Sequence, residues 1–170
     1  MSDSATHQQP VANLQALKPL ILTPGDPAGI GPEISLRAWQ AGNHNMVLQG
    51  DIGHLREIAH NAKLALDFAE YETQSFADNQ HTICHVIHTP WISAPKLGRP
   101  NAANAGQIIT AIEQAVAGVK NGQFSALVTN PIAKDNLYQA GFEYPGHTEF
   151  LAHLDGHDKR PVMMLANSEL

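Results

Sequence analysis

Short apolar runs, each bounded by glycine, proline or asparagine signals, alternate along this chain with segments of helical periodicity. That alternation constrains the fold more than any other feature. Pro19-Leu20-Ile21-Leu22-Thr23, stopped by Pro24-Gly25, reads as a buried strand. Met46-Val47-Leu48, Thr82 to Ile87, Phe124 to Thr129 and Pro161 to Ala166 read the same way. A helix is predicted from Pro32 through Trp39, with the proline at its first turn, where a missing N–H costs nothing. Asp51 is the predicted cap of a helix carrying Ile52, Leu55, Ile58 and Ala59 on one face. From Asn104 to Lys120, Ile108, Ile112, Val116 and Val119 recur at helical spacing, and Gly122 marks the stop. Asn130-Pro131 offers the cap and first position of a short helix ending near Gly141. Thr148 offers the cap of another, through Phe150, Leu151 and Leu154. From Ala65 to about Arg99 the pattern is less regular, with Pro90 to Pro100 read as a loop. Strands alternating with helices imply βαβ units, hence an α/β fold with a largely parallel sheet flanked by helices.

Composition narrows the function. Hydrophobic residues make up 43% of the 170 residues, enough for a real core. Lys and Arg number 10 against 16 Asp and Glu, a net charge of −6, which lacks the cationic field that nucleic acid or an anionic membrane surface requires. Cys84 stands alone, which excludes an intrachain disulfide and a thiol-rich metal cluster. Met1 to Gln15 show no basic segment followed by an apolar run, and no stretch approaches the roughly 18 apolar residues of a membrane span. The expectation is a cytoplasmic protein with a loose tail over 1–17, a first α/β domain over 18–130, and the start of a second over 131–170. The strand at 161–166 has no covering helix after it, which predicts a truncated chain.

Three loops carry candidate chemistry. The turn Pro24-Gly25-Asp26-Pro27-Ala28-Gly29-Ile30-Gly31-Pro32 joins strand to helix, as phosphate cradles do. It matches neither Gly-x-Gly-x-x-Gly nor a P-loop, and its prolines remove N–H donors. A tight, closely packed turn and a ligand-lining loop both remain open; Asp26 and Glu33 are either polar site residues or complements to the helix N-terminus. Thr129-Asn130-Pro131-Ile132-Ala133-Lys134 follows a strand, where α/β sheets collect ligands, and Thr129, Asn130 and Lys134 suit an anionic substrate or a plain helix cap. In Pro145-Gly146-His147-Thr148-Glu149, an imidazole, a hydroxyl and free backbone amides at a helix start suit a phosphate or carboxylate, while an ordinary capping threonine beside a surface histidine is the blander account. There are ten histidines, but no His-Glu-x-x-His spacing, and most are expected to face solvent.

Together, Leu22 to Glu33, Leu127 to Lys134 and Gly146-His147-Thr148-Glu149-Phe150-Leu151-Ala152 resemble the 4-hydroxythreonine-4-phosphate dehydrogenase family of pyridoxal phosphate biosynthesis. Ala105-Gly106-Gln107 and Val162 to Ala166 fit as well, so the resemblance runs from Pro19 to Leu170. It implies an isocitrate/isopropylmalate dehydrogenase-like fold, truncated here, with the cleft near a homodimer interface. It also implies oxidation of 4-phosphooxy-threonine by NAD(P), followed by loss of carbon dioxide to give 3-amino-2-oxopropyl phosphate. A divalent cation (Zn, Mg or Co) would serve as Lewis acid, its three histidine ligands expected beyond residue 170. The resemblance places His147 and Thr148 at the substrate and leaves catalytic and cofactor-binding residues unassigned. A paralogue acting on D-threonate or D-erythronate 4-phosphate shares these motifs, and a non-catalytic truncated product is the alternative of another class.

Overall fold

The computed structural model describes residues 18–79, 81–156 and 160–167. Five parallel strands form one sheet in the order β3-β4-β2-β1-β5: β1 (Leu20–Leu22), β2 (Met46–Gly50), β3 (Asp67–Glu70), β4 (Ile83–His88) and β5 (Ala126–Val128). The α/β expectation holds. Residues of β2 alternate between two apolar layers, so every position of that strand is buried. On one face Met46 and Leu48, with Cys84 and Val86 of β4, pack under α1 (Gly31–Gln40) and α2 (Ile52–Asn61). On the other, Ile21 and Val47 meet Phe76 of α3 (Thr73–Asn79) and Ala115 of α4 (Ala105–Lys120). A further cluster joins Ile108 and Ile112 of α4 to Leu137 of α5 (Lys134–Gln139) and Phe150 of α6 (His147–Asp155), with Phe142 between them.

Several local expectations are met for the stated reasons. Pro32 lies in the first turn of α1. The Asp51 carboxylate accepts from the His54 amide (3.1 Å) and caps α2. Gly122 follows the end of α4 with a φ of 77°.

Others are corrected. The segment 161–166 is not a strand: Val162 and Leu165 are 90% and 85% exposed, because no described strand lies alongside to take its hydrogen bonds. Asp67–Glu70 is a strand and Thr73–Asn79 a helix within the stretch read as irregular. Asp, Ala and Glu are weak strand formers, and β3 forms because β4 pairs with it along its length. Asn130 caps nothing, since α5 begins at Lys134 with Ala133 at its cap. Thr148 lies inside α6, whose cap position is Gly146. Nor is His85 solvent-facing: it is fully buried against Phe76, ring centroids 5.2 Å apart. Burial holds its imidazole below the usual pKa; the nearby Glu70 backbone opposes this without reaching hydrogen-bond geometry. Next to it, burial pushes the Cys84 thiol up to about 12, which leaves it inert as a nucleophile.

Candidate functional site

Strand order selects where a site can form. From β1 the chain steps to one side for β2 and returns to the other side for β5, so the order reverses at β1. The crevice outside the carboxyl ends of strands at such a reversal is where open α/β sheets bind ligands. The loops leaving β1 and β5 are the glycine turn and Thr129 to Lys134, and they are bonded to each other. Thr23 N–H donates to the Val128 carbonyl (3.0 Å) and Asp26 N–H to the Pro131 carbonyl (2.8 Å). The buried Asn130 amide donates to the Thr23 carbonyl (2.9 Å) and to the Ser35 hydroxyl (2.8 Å).

This geometry shows the close packing that the first account of the glycine turn requires. A Cβ on Gly25 would fall 2.5 Å from the Pro131 oxygen, and one on Gly31 would fall 2.9 Å from Asn130 Cβ. Ala28 N–H donates to the Asp26 carboxylate (2.8 Å) and Gly29 N–H to the Asp26 carbonyl (3.0 Å). These amides are spent inside the turn and do not form a diphosphate cradle. Asp26 is thereby an internal brace, and Glu33 pairs with Arg37 on the exposed face of α1 (2.7 Å). His54, which the sequence did not single out, donates from Nε2 to the Pro27 carbonyl (2.9 Å) and holds the turn from α2.

The third loop approaches through Lys134. Its ammonium nitrogen lies 3.8 Å from where a Gly146 Cβ would stand. That distance is ordinary van der Waals contact, and it sets a cation beside the start of α6. His147 and Thr148 are both half-buried there. His147 Nε2 is closed off from solvent and has no hydrogen-bond partner among the described residues. Burial first, and the Lys134 charge second, lower the His147 pKa, both favouring the neutral ring. A neutral imidazole, a hydroxyl, an exposed ammonium and the unpaired first amides of a helix make a local environment suited to an anion. Among the described residues no three His, Cys, Asp or Glu side chains gather as a metal cluster, and no helix is long and apolar enough to cross a membrane.

An all-parallel α/β sheet with helices on both faces, its loops joined where strand order reverses, places the chain in the class of open α/β folds that collect ligands at the carboxyl ends of their strands. The family model described as pyridoxal phosphate biosynthetic protein PdxA matches residues 42–170, and the chain belongs to that family. It is 42% identical over 165 residues to a 4-hydroxythreonine-4-phosphate dehydrogenase of Methylorubrum extorquens, covering 90% of this chain and 47% of that protein. The crystal structure of a 4-hydroxythreonine-4-phosphate dehydrogenase from Burkholderia phymatum superposes with a TM-score of 0.74 at 29% identity, covering 84% of this chain and 45% of that one. A terephthalate 1,2-cis-dihydrodiol dehydrogenase from Burkholderia xenovorans follows at 0.62 and 26%, covering 82% and 41%. The chain therefore spans about half the length of the relatives it matches.

Proposed function

We propose that this chain is part of a 4-hydroxythreonine-4-phosphate dehydrogenase of pyridoxal phosphate biosynthesis. The enzyme oxidises the secondary alcohol of 4-phosphooxy-L-threonine, and the β-keto acid then loses carbon dioxide to give 3-amino-2-oxopropyl phosphate. The observation that carries the reading is the meeting of His147, whose buried Nε2 has no partner among the described residues, with Thr148 and the Lys134 ammonium at the start of α6. His147 and Thr148 are the substrate-binding residues in this reading. Lys134 contributes the positive potential, and the helix amides donate to a phosphate or carboxylate oxygen.

In the complete enzyme NAD(P) would supply the hydride acceptor and a divalent cation the Lewis acid. The described residues do not fit the metal, since no three-ligand cluster is present among them, and the Ala28 and Gly29 amides of the glycine turn are engaged within the turn itself. This chain alone is accordingly expected to reduce no NAD(P) with the phosphorylated substrate and Zn, Mg or Co. Measurable turnover by the purified chain would contradict that. A cytoplasmic homodimer is the proposed state of the complete enzyme.

The binding claim has its own test. Calorimetric titration of this chain with 4-phosphooxy-L-threonine is expected to show binding that His147→Ala weakens by about 1–3 kcal/mol, roughly 5- to 150-fold. Affinity unchanged in His147→Ala would remove this residue from the site. A paralogue acting on other 4-phosphorylated sugar acids shares the same three motifs. D-threonate and D-erythronate 4-phosphate are therefore the competing substrates, and relative turnover by the full-length enzyme decides among them.

A further inference from the structure

A second place in the molecule asks for a ligand, and its chemistry differs from that of the His147 corner. Below the glycine turn, at the carboxyl ends of β1 and β2, lies a cavity of about 10 Å³, room for one water molecule. Thr23, Gln49 and Trp91 all line it. Thr23 Oγ1, Gln49 Oε1 and Trp91 Nε1 are each buried with no hydrogen-bond partner among the described residues. Thr23 and Gln49 are only 1% and 4% exposed. Buried polar atoms of folded proteins are nearly always paired, so three orphans on one cavity mark a missing partner.

We propose that this cavity is a site for one neutral hydrogen-bonding group, held by a resident water that links β1, β2 and the 90–100 loop. The inference is independent of the dehydrogenase reading. Its occupant follows from donor and acceptor counting. Gln49 Oε1 accepts, Trp91 Nε1–H donates, and the Thr23 hydroxyl does either; water offers two donors and two acceptors and matches all three. No lysine or arginine lines the cavity, while the Asp51 carboxylate does, so an anion is disfavoured. Both Asp51 oxygens are already engaged, by the amides of His54 and Trp91, and the indole N–H repels a cation. An apolar occupant would leave all three atoms unpaired.

The site also explains how the loop is held. Asp51 accepts from the Trp91 backbone (3.2 Å), Gln107 from that of Ile92 (2.9 Å) and Asn104 from that of Ser93 (2.9 Å), while the water ties in the Trp91 side chain. An atomic-resolution crystal structure of this chain, with and without a phosphate soak, tests the proposal together with the melting temperatures of Thr23→Val and Gln49→Met. One water within hydrogen-bond distance of at least two of the three atoms is expected, unchanged by phosphate. Each variant is expected to melt lower by about 2–4 °C, because it strands the remaining partners. A dry cavity or seated phosphate would overturn the proposal. So would variants that melt higher, since an apolar isostere relieves a polar atom that truly lacks a partner. Should either variant fail to fold, the density in the unsubstituted chain decides.

Discussion

Replacing Gly25 with alanine tests whether the two site loops are held by close approach or only by turn conformation. Gly25 has a φ of 65°, in the left-handed region where a side chain costs roughly 1–2 kcal/mol. The added Cβ would also stand 2.5 Å from the Pro131 oxygen and 2.8 Å from Asn130 Cβ. Both neighbours are constrained, one being backbone and the other the stem of a doubly bonded amide, so relief requires the loops to part, at about 1–3 kcal/mol for such overpacking. The expected total is about 2–5 kcal/mol. Gly98 supplies the control: its φ is 73°, yet nothing lies within 4 Å of its virtual Cβ, so Gly98→Ala should cost only about 1–2 kcal/mol. Urea unfolding with linear extrapolation measures both. The Gly25 variant should be the less stable by about 1–3 kcal/mol, at an unchanged m-value. Equal losses at the two positions would refute the close-approach argument and leave the turn conformation as the whole cause.

Asp51→Ala removes the cap of α2 and the anchor of the Trp91 amide together, and is expected to cost about 1–3 kcal/mol by denaturant unfolding. Asp51→Asn, which keeps one acceptor oxygen and sets an amide donor against the other backbone N–H, should lie between. For His85, the folded pKa is lowered while the unfolded ring titrates near its ordinary value of 6.5. At neutral pH and above both states are uncharged and stability is unaffected. As pH falls below that value the unfolded chain gains the proton first, so stability declines until the folded pKa is passed. Melting temperature against pH should therefore drop on the acid side, and His85→Leu should flatten that slope; a slope unchanged in His85→Leu counts against it, His147 contributing in the same sense.

The sequence made the alternation of strands and helices legible because each buried strand is locally apolar and its punctuation is local: Pro24-Gly25, Asp51 and Gly122 act within a few residues of themselves. What escaped was long-range. Asp67–Glu70 carries little strand propensity of its own and is recruited by pairing with Ile83–Val86. Conversely, 161–166 has ample propensity but no described strand beside it to pair with, so it stays exposed. Asn130-Pro131 looks like a cap by composition, but the side chain is claimed by partners 107 and 95 positions earlier. The same holds for the site. His147 and Thr148 were readable from a motif, and Lys134 from its position after a strand. The cavity formed by Thr23, Gln49 and Trp91 assembles three segments, none of which carries a signature alone.

Strand β1 is flanked by β2 on one side and by β5 on the other, and those neighbours are made at very different times. Leu22 meets Leu48 after only a short stretch of synthesis, whereas its other partner, Val128, is translated 106 positions later. At about 5–20 residues per second, one rim of the emerging sheet stays unsealed for roughly 5–20 s. Throughout that interval the backbone of β1 is open to any passing strand. The glycine turn can take its final shape only when Asn130 and Pro131 arrive, so this rim of the sheet is completed late.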